Sequence, residues 1–137
     1  MIGLDTNVLV RFLLRDDLIQ AEQARAAIED AVADGTPLFV SLLTIMETEW
    51  VLRSCAKLDK KKVITTFRTL LEARDLQIEQ EGALEEALFL YEGGKADFAD
   101  CLMTSQYCRL GCSAMFTFDQ NAAKLSGVIL LPVSSGA

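Results

Sequence analysis

The chain has no histidine at all. That absence removes Ser-His-Asp and Cys-His nucleophilic machinery together with the usual histidine-ligated zinc enzymes. The four cysteines, Cys55, Cys101, Cys108 and Cys112, form no CxxC pair, so a zinc site would need all four thiolates at unsuitable spacing. Reduced, partly buried thiols are the plain reading. No uninterrupted apolar stretch approaches the roughly 18 residues of a membrane span, and no basic-then-apolar leader opens the chain. A soluble, cytoplasmic protein with no membrane partner is the expectation. Basic residues are also scarce: 13 Lys and Arg against 20 Asp and Glu give a formal net charge of -7. This argues against tight, sequence-independent nucleic-acid binding. It leaves room for an enzyme whose acids are neutralised by divalent ions, and it suits a partner that supplies positive charge.

Hydrophobic residues make up 51% of the 137 positions, enough for one domain with a sizeable core. No internal repeat, low-complexity tract or linker interrupts the chain, so we expect a single domain over 1–132 and a frayed tail over 133–137. Short apolar runs at Met1–Leu4, Leu38–Val40, Leu76–Ile78, Ala114–Phe118 and Val128–Leu131 alternate with stretches of helical spacing. Ala21, Ala24, Ile28, Ala31 and Val32 line one such face; Val63, Ile64, Phe67, Leu70 and Leu71 line the next. Leu84, Ala87, Leu88 and Tyr91 precede a Gly93-Gly94 stop, and Ala99, Leu102, Met103, Gln106, Tyr107 and Leu110 mark the last helix, ended by Gly111. Ala33-Asp34-Gly35-Thr36-Pro37 reads as a turn. Strands that alternate with helices predict an α/β fold, a parallel sheet with helices on both faces.

Several acids sit where such a sheet presents ligands, outside the carboxyl ends of its strands. Asp5 and Asp119 each follow an apolar run just before a predicted helix. They face one another only if the first and fourth strands are neighbours. The alternative for this stretch is that Asp5, Thr6 or Asn7 merely caps the helix over Val8–Leu14. Asn7 also suits a metal-bound water or a phosphate oxygen, and Thr6 and Asn7 are candidate supporting residues. Glu47 lies in the oily segment Leu42–Leu52, predicted to be buried on most faces, and shares a polar stripe with Thr44 and Thr48. A carboxylate buried there implies a cation or a cleft. Glu49 projects about 200° away from Glu47, so only one of the two serves a common site; we select Glu47 and read Glu49 as a surface or interface residue. Asp97 and Asp100 are equally a helix N-cap and an N3 acid, although a cap can also ligate a metal. Thr117 alternates onto the same side as Asp119 and is a candidate supporting residue. Carboxylates collected without imidazole suit a hard, oxygen-ligated cation such as Mg2+ or Mn2+.

These pieces, in this order, resemble the PIN-domain family, and within it the VapC-type ribonuclease toxins of bacterial toxin–antitoxin pairs. The matching stretches are Ile2-Gly3-Leu4-Asp5-Thr6-Asn7-Val8-Leu9-Val10-Arg11, Val40-Ser41 through Glu47 to Leu52, Ala96-Asp97-Phe98-Ala99-Asp100 and Phe116-Thr117-Phe118-Asp119. The resemblance implies a three-layer α-β-α fold around a five-stranded parallel sheet in the order 3-2-1-4-5, which would make Asp5 and Asp119 neighbours. It implies Mg2+- or Mn2+-dependent endoribonuclease activity with 5′-phosphate products. By motif position Asp5, Glu47, Asp100 and Asp119 match the family's catalytic, metal-binding acidic quartet, and Asp97 matches an accessory acid. Asn121 departs from the pattern, standing where many relatives carry a further aspartate. The resemblance also implies hydrolysis by a metal-activated water, with Asp100 or Glu47 taking its proton. A cognate antitoxin, often placing a basic side chain in the acidic pocket, and a homodimer are its implied partners. Arg11, Arg15, Lys57 and the run Lys60–Lys62 are candidates for guiding the RNA backbone, though lysines at a helix start are commonly a solvated face. Trp50 and Phe12-Leu13-Leu14 are candidate interface anchors, with core packing the default.

Other classes compete for the same features. Haloacid-dehalogenase-like phosphatases also place an aspartate, there a nucleophile, after the first strand. Asn7 stands where their second aspartate falls, and the chain is short for their cap domain. A receiver domain needs an aspartate after the third strand and a lysine after the fifth; Ile78-Glu79 and Leu131-Pro132 supply neither. A non-catalytic PIN fold that only binds a partner is the remaining alternative.

Overall fold

A computed structural model describes residues 1–133. Of the tail expected to fray, 133–137, all but Val133 lies outside the described residues. The chain divides into two compact units, Met1–Glu81 and Gly82–Ala137.

The first unit runs β1 (Ile2–Gly3), α1 (Thr6–Leu14), α2 (Leu18–Ala33), β2 (Leu38–Val40), α3 (Leu42–Trp50), a π-helical turn (Val51–Cys55), α4 (Lys60–Glu72) and β3 (Leu76–Ile78). Its helices begin where a short polar side chain can satisfy an orphan N–H. Asp5 accepts from Val8 N–H at 2.9 Å, Asp17 from Gln20, Ser41 from Thr44 and Asp59 from Lys62. The turn read at Ala33–Pro37 is present: Gly35 adopts φ 70° while its N–H and that of Thr36 close back on Val32 and Ala31 carbonyls. The three strands form one parallel ladder with β2 central, pairing Ile2 with Leu38 and Leu38 with Leu76. Leu9, Val40, Ile45, Leu52, Val63 and Phe67 are fully buried around it.

The second unit comprises α5 (Glu81–Gly93), α6 (Phe98–Arg109), β4 (Met115–Thr117), a 3-10 turn (Ala122–Lys124) and β5 (Val128–Leu130). β4 and β5 pair in parallel, Met115 opposite Val128. The buried faces of α5 and α6 meet through Tyr91 and Phe98, whose rings make an edge-on contact with centroids 5.6 Å apart. The result is a mixed α/β fold of parallel strands and helices, the class expected for a three-layer α/β/α architecture. The expected strand order 3-2-1-4-5 is observed as two ladders, 3-2-1 and 4-5, among the described residues.

Two face assignments need correction. On α6 the buried residues are Phe98, Cys101, Leu102 and Ser105, so of the face read from Ala99, Leu102, Met103, Gln106, Tyr107 and Leu110 only Leu102 is buried. Tyr107 and Leu110 are exposed. The Phe98–Tyr91 contact sets the rotation of the helix, because the larger ring outweighs the smaller residues that happen to share its periodicity. On α3 the buried positions are Leu42, Ile45, Thr48 and Glu49. That rotation turns Trp50 outward, leaving it 54% exposed and overturning the default of core packing. Phe12, Leu13 and Leu14 are half-buried. No helix of the described residues is long and apolar enough to cross a membrane.

Candidate functional site

The strand ends place two groups of acids, one in each unit. In the first, β1 ends at Gly3 and Asp5 follows two residues later as the N-cap of α1. Capping therefore falls to Asp5, not to Thr6 or Asn7. One Asp5 oxygen is engaged by Val8 N–H, and the residue stays exposed. Thr6 is buried and Asn7 is exposed. Asp5, Thr6 and Asn7 share a pocket of about 310 Å³ with Leu43, Thr44 and Glu47 from α3. Asp5 and Glu47 thus line one pocket.

Glu47 does not lie in the buried setting expected of it. Glu47 is exposed, so no buried charge demands a cation there. The buried acid is Glu49, 3% exposed, and Arg53 one turn later neutralises it through a 2.9 Å bond from Nε. The polar stripe holds only in part, with Thr44 and Glu47 lining one pocket. Thr48 faces the interior with its hydroxyl unpartnered, while Thr44 bonds Ser41 at the start of the helix. Glu79, given no part in this site by the sequence, supports this wall: its N–H donates to Val40 O and its Oε1 accepts from Leu42 N–H at 2.9 Å. Its place directly after β3 was the available signal.

In the second unit Asp97, Asp100 and Asp119 each offer a carboxylate oxygen, and these oxygens lie within 4.8 Å of one another. Asp97 occupies the N-cap position of α6, yet its side chain makes no capping hydrogen bond. Asp100 is one turn on, in the first turn of the same helix. Asp119 follows β4 by two residues, as Asp5 follows β1. One of its oxygens accepts from Ala122 N–H at 2.8 Å. Thr117 acts on the backbone: its hydroxyl accepts from Asp119 N–H at 3.0 Å, fixing the turn that presents the carboxylate. Asn121 is exposed and caps nothing.

Burial, then the charges of Asp119 and Asp97, hold the Asp100 carboxyl above its ordinary range. The donor set fits a hard divalent cation. Ligand oxygens around six-coordinate Mg2+ are separated by ~3–4 Å, given metal–oxygen distances of ~2.1 Å, so small side-chain rotations suffice. The sign of the pH dependence follows. Stability from the raised Asp100 group is complete below its ordinary value near 3.8 and is lost as pH rises through the folded-state value. A bound cation should restore it. Mg2+ is expected to raise the Tm at about pH 7 and much less at about pH 4, where protons compete for the same oxygens. Melting curves at both pH values check this, and equal increments would contradict it.

The basic candidates are placed differently. Arg11 is committed within its own unit, donating to Gln20 Oε1 at 2.7 Å and to Asp16 Oδ1 at 2.8 Å. Its guanidinium holds the Asp16 carboxyl below the usual range. Arg15 and Lys57 are exposed, each in the left-handed backbone region that ends a helical segment. Lys61 and Lys62 are exposed on the first turn of α4. All four cysteines are free thiols, and Cys101 is the buried one.

Among curated proteins, none matches this chain. The family model for the PIN domain matches residues 2–128, a stretch that begins with β1 and reaches β5. With parallel strands alternating with helices along that stretch, and acids just past the ends of β1 and β4, the chain belongs to the PIN-domain family.

Proposed function

We propose that this protein is a Mg2+- or Mn2+-dependent endoribonuclease, the toxin of a toxin–antitoxin pair. PIN domains are generally metal-dependent nucleases that act on nucleic acid. The observation that carries the reading is the convergence of Asp97, Asp100 and Asp119 in a chain of this family. Asp97, Asp100 and Asp119 would hold the ion, with Asp5 and Glu47 completing the family's acidic set. A divalent ion bound by them lowers the pKa of an attacking water and neutralises charge developing at phosphorus. The water oxygen bonds to phosphorus as the P–O3′ bond breaks, leaving a 3′-hydroxyl and a 5′-phosphate. Glu47, exposed in the Asp5 pocket, or Asp100 would take the proton of that water, as the family resemblance implies. Asn7 donates to a phosphate oxygen from the same pocket. Thr117 keeps Asp119 oriented through its backbone N–H.

The -7 net charge favours a basic antitoxin segment as partner. A cytoplasmic homodimer completes the proposal, with exposed Trp50 as one anchor. An alternative role as a non-catalytic binding module predicts no turnover. Single-stranded RNA incubated with Mg2+ should be cut, cutting should stop in EDTA, and Asp5→Asn should lose it as well. If the quartet acts as one centre, Asp5→Asn combined with Asp100→Asn costs little more than either alone. Cleavage that persists in EDTA, or fully additive losses, would count against it.

A further inference from the structure

A second pocket opens beside Asp5, between α1 and α2, with a volume of about 320 Å³. Asp5 and Asn7 line both this pocket and the one that contains Glu47, so they form the divider between the two. Its other polar walls are the side-chain amides of Gln20 and Gln23 and the guanidinium of Arg11; Ala24 and Ala27 supply small apolar surface.

The hydrogen bonds already made here decide what remains available. Arg11 Nε binds Gln20 Oε1, which leaves the Gln20 amide nitrogen as a donor with a set orientation. Arg11 Nη1 binds Asp16, so the guanidinium plane is pinned and its charge is matched. The pocket therefore has no surplus positive charge for a phosphate. Apart from the Asp5 carboxylate on the divider, it offers neutral donors and acceptors around a small apolar floor, beside a fixed cationic plane. This combination recognises a flat heterocycle by its edge. The volume falls at the small end of ligand pockets and is suited to a single ring system.

We propose that this pocket takes a nucleobase of single-stranded RNA, belonging to a nucleotide next to the scissile phosphate, and that Gln20 and Gln23 read its edge. The proposal rests on the nuclease reading for the position of the cut, but not for binding. Gln23 and Ala27 are exposed positions on a helix, so Gln23→Ala and Ala27→Leu are expected to fold, as melting curves would verify.

Two arms test it. In the first, a randomised RNA pool is cut with Mg2+ and the cut sites are sequenced. Wild type should prefer one base at a nucleotide flanking the cut, and each variant should lose that preference by roughly ten-fold or more, the size of one good edge contact. When RNA is cut, an absent preference, or one unchanged in both variants, overturns the proposal. In the second, the side-chain amide NMR signals of Gln20 and Gln23 are followed while oligo(A), oligo(C), oligo(G) or oligo(U) tetranucleotides are added in EDTA. At least one should shift these signals in wild type and not in Ala27→Leu; no shift with any of the four overturns it. If RNA is bound in the second arm but never cut in the first, the nuclease reading fails and the base pocket stands.

Discussion

Asp100→Asn is expected to reduce metal-dependent RNA cleavage by more than roughly 100-fold, since even groups that only support a metal ligand cost ~10–100-fold when removed. The position combines two properties that Asp97 and Asp119 do not share: it is the half-buried member of the cluster, and its carboxyl is pushed up by burial and by both neighbours. Neutralising it removes the repulsion that a cation would otherwise relieve. The apo variant should therefore melt higher than apo wild type at neutral pH, while losing most of the increment Mg2+ gives. Activity and stability should move in opposite directions. A purely structural Asp100, serving only as an acid in the first turn of α6, predicts the reverse for stability, because an amide interacts less well with the helix dipole. Melting curves with and without Mg2+, alongside a cleavage assay, separate the two.

Phe98→Ala is expected to cost about 3–5 kcal/mol in global stability, the range for deleting a buried aromatic ring. Phe98 is 1% exposed and sits between the two acids of α6, against the edge of Tyr91. Such an aromatic pair adds about 0.5–1.5 kcal/mol beyond burial. The same ring that stabilises α5 against α6 fixes the rotation of the first turn, and so the direction of Asp97 and Asp100. Mn2+ affinity should fall with it, while Phe98→Leu should recover much of both. Urea denaturation gives the stability change; a loss below about 1 kcal/mol would mean the ring is not packed as described.

The strands were legible because short β-rich runs bounded by turn residues have few alternatives in an α/β chain. Leu38–Val40 and Leu76–Ile78 fall where the apolar runs put them. Asp5 and Asp119 followed from the same signal, since each lies just past its strand. Helix rotation was less legible. Apolar residues surround α3 and α6 on several sides, and periodicity cannot choose among faces that are all oily. A single packed ring decided α6, and a local pair between Glu49 and Arg53 let an acid be buried on α3. Sequence spacing identifies that pair only once the direction of burial is known. The supporting role of Glu79 was not legible because its partner, Leu42 N–H, lies 37 residues away and belongs to a neighbouring strand–helix junction. The amide pocket between α1 and α2 escaped for the same reason: Asn7, Gln20 and Gln23 carry no motif, and only the packing of two helices gathers them.

In the proposed reaction a divalent ion bound by Asp97, Asp100 and Asp119 drives phosphodiester hydrolysis. Mn2+ uptake followed by electron paramagnetic resonance, with RNA cleavage measured in the same samples, tests this most directly. Occupancy and cleavage should rise over the same Mn2+ range in wild type and collapse together in Asp100→Asn. Undiminished Mn2+ binding by that variant, or cleavage by metal-free wild type, would contradict it.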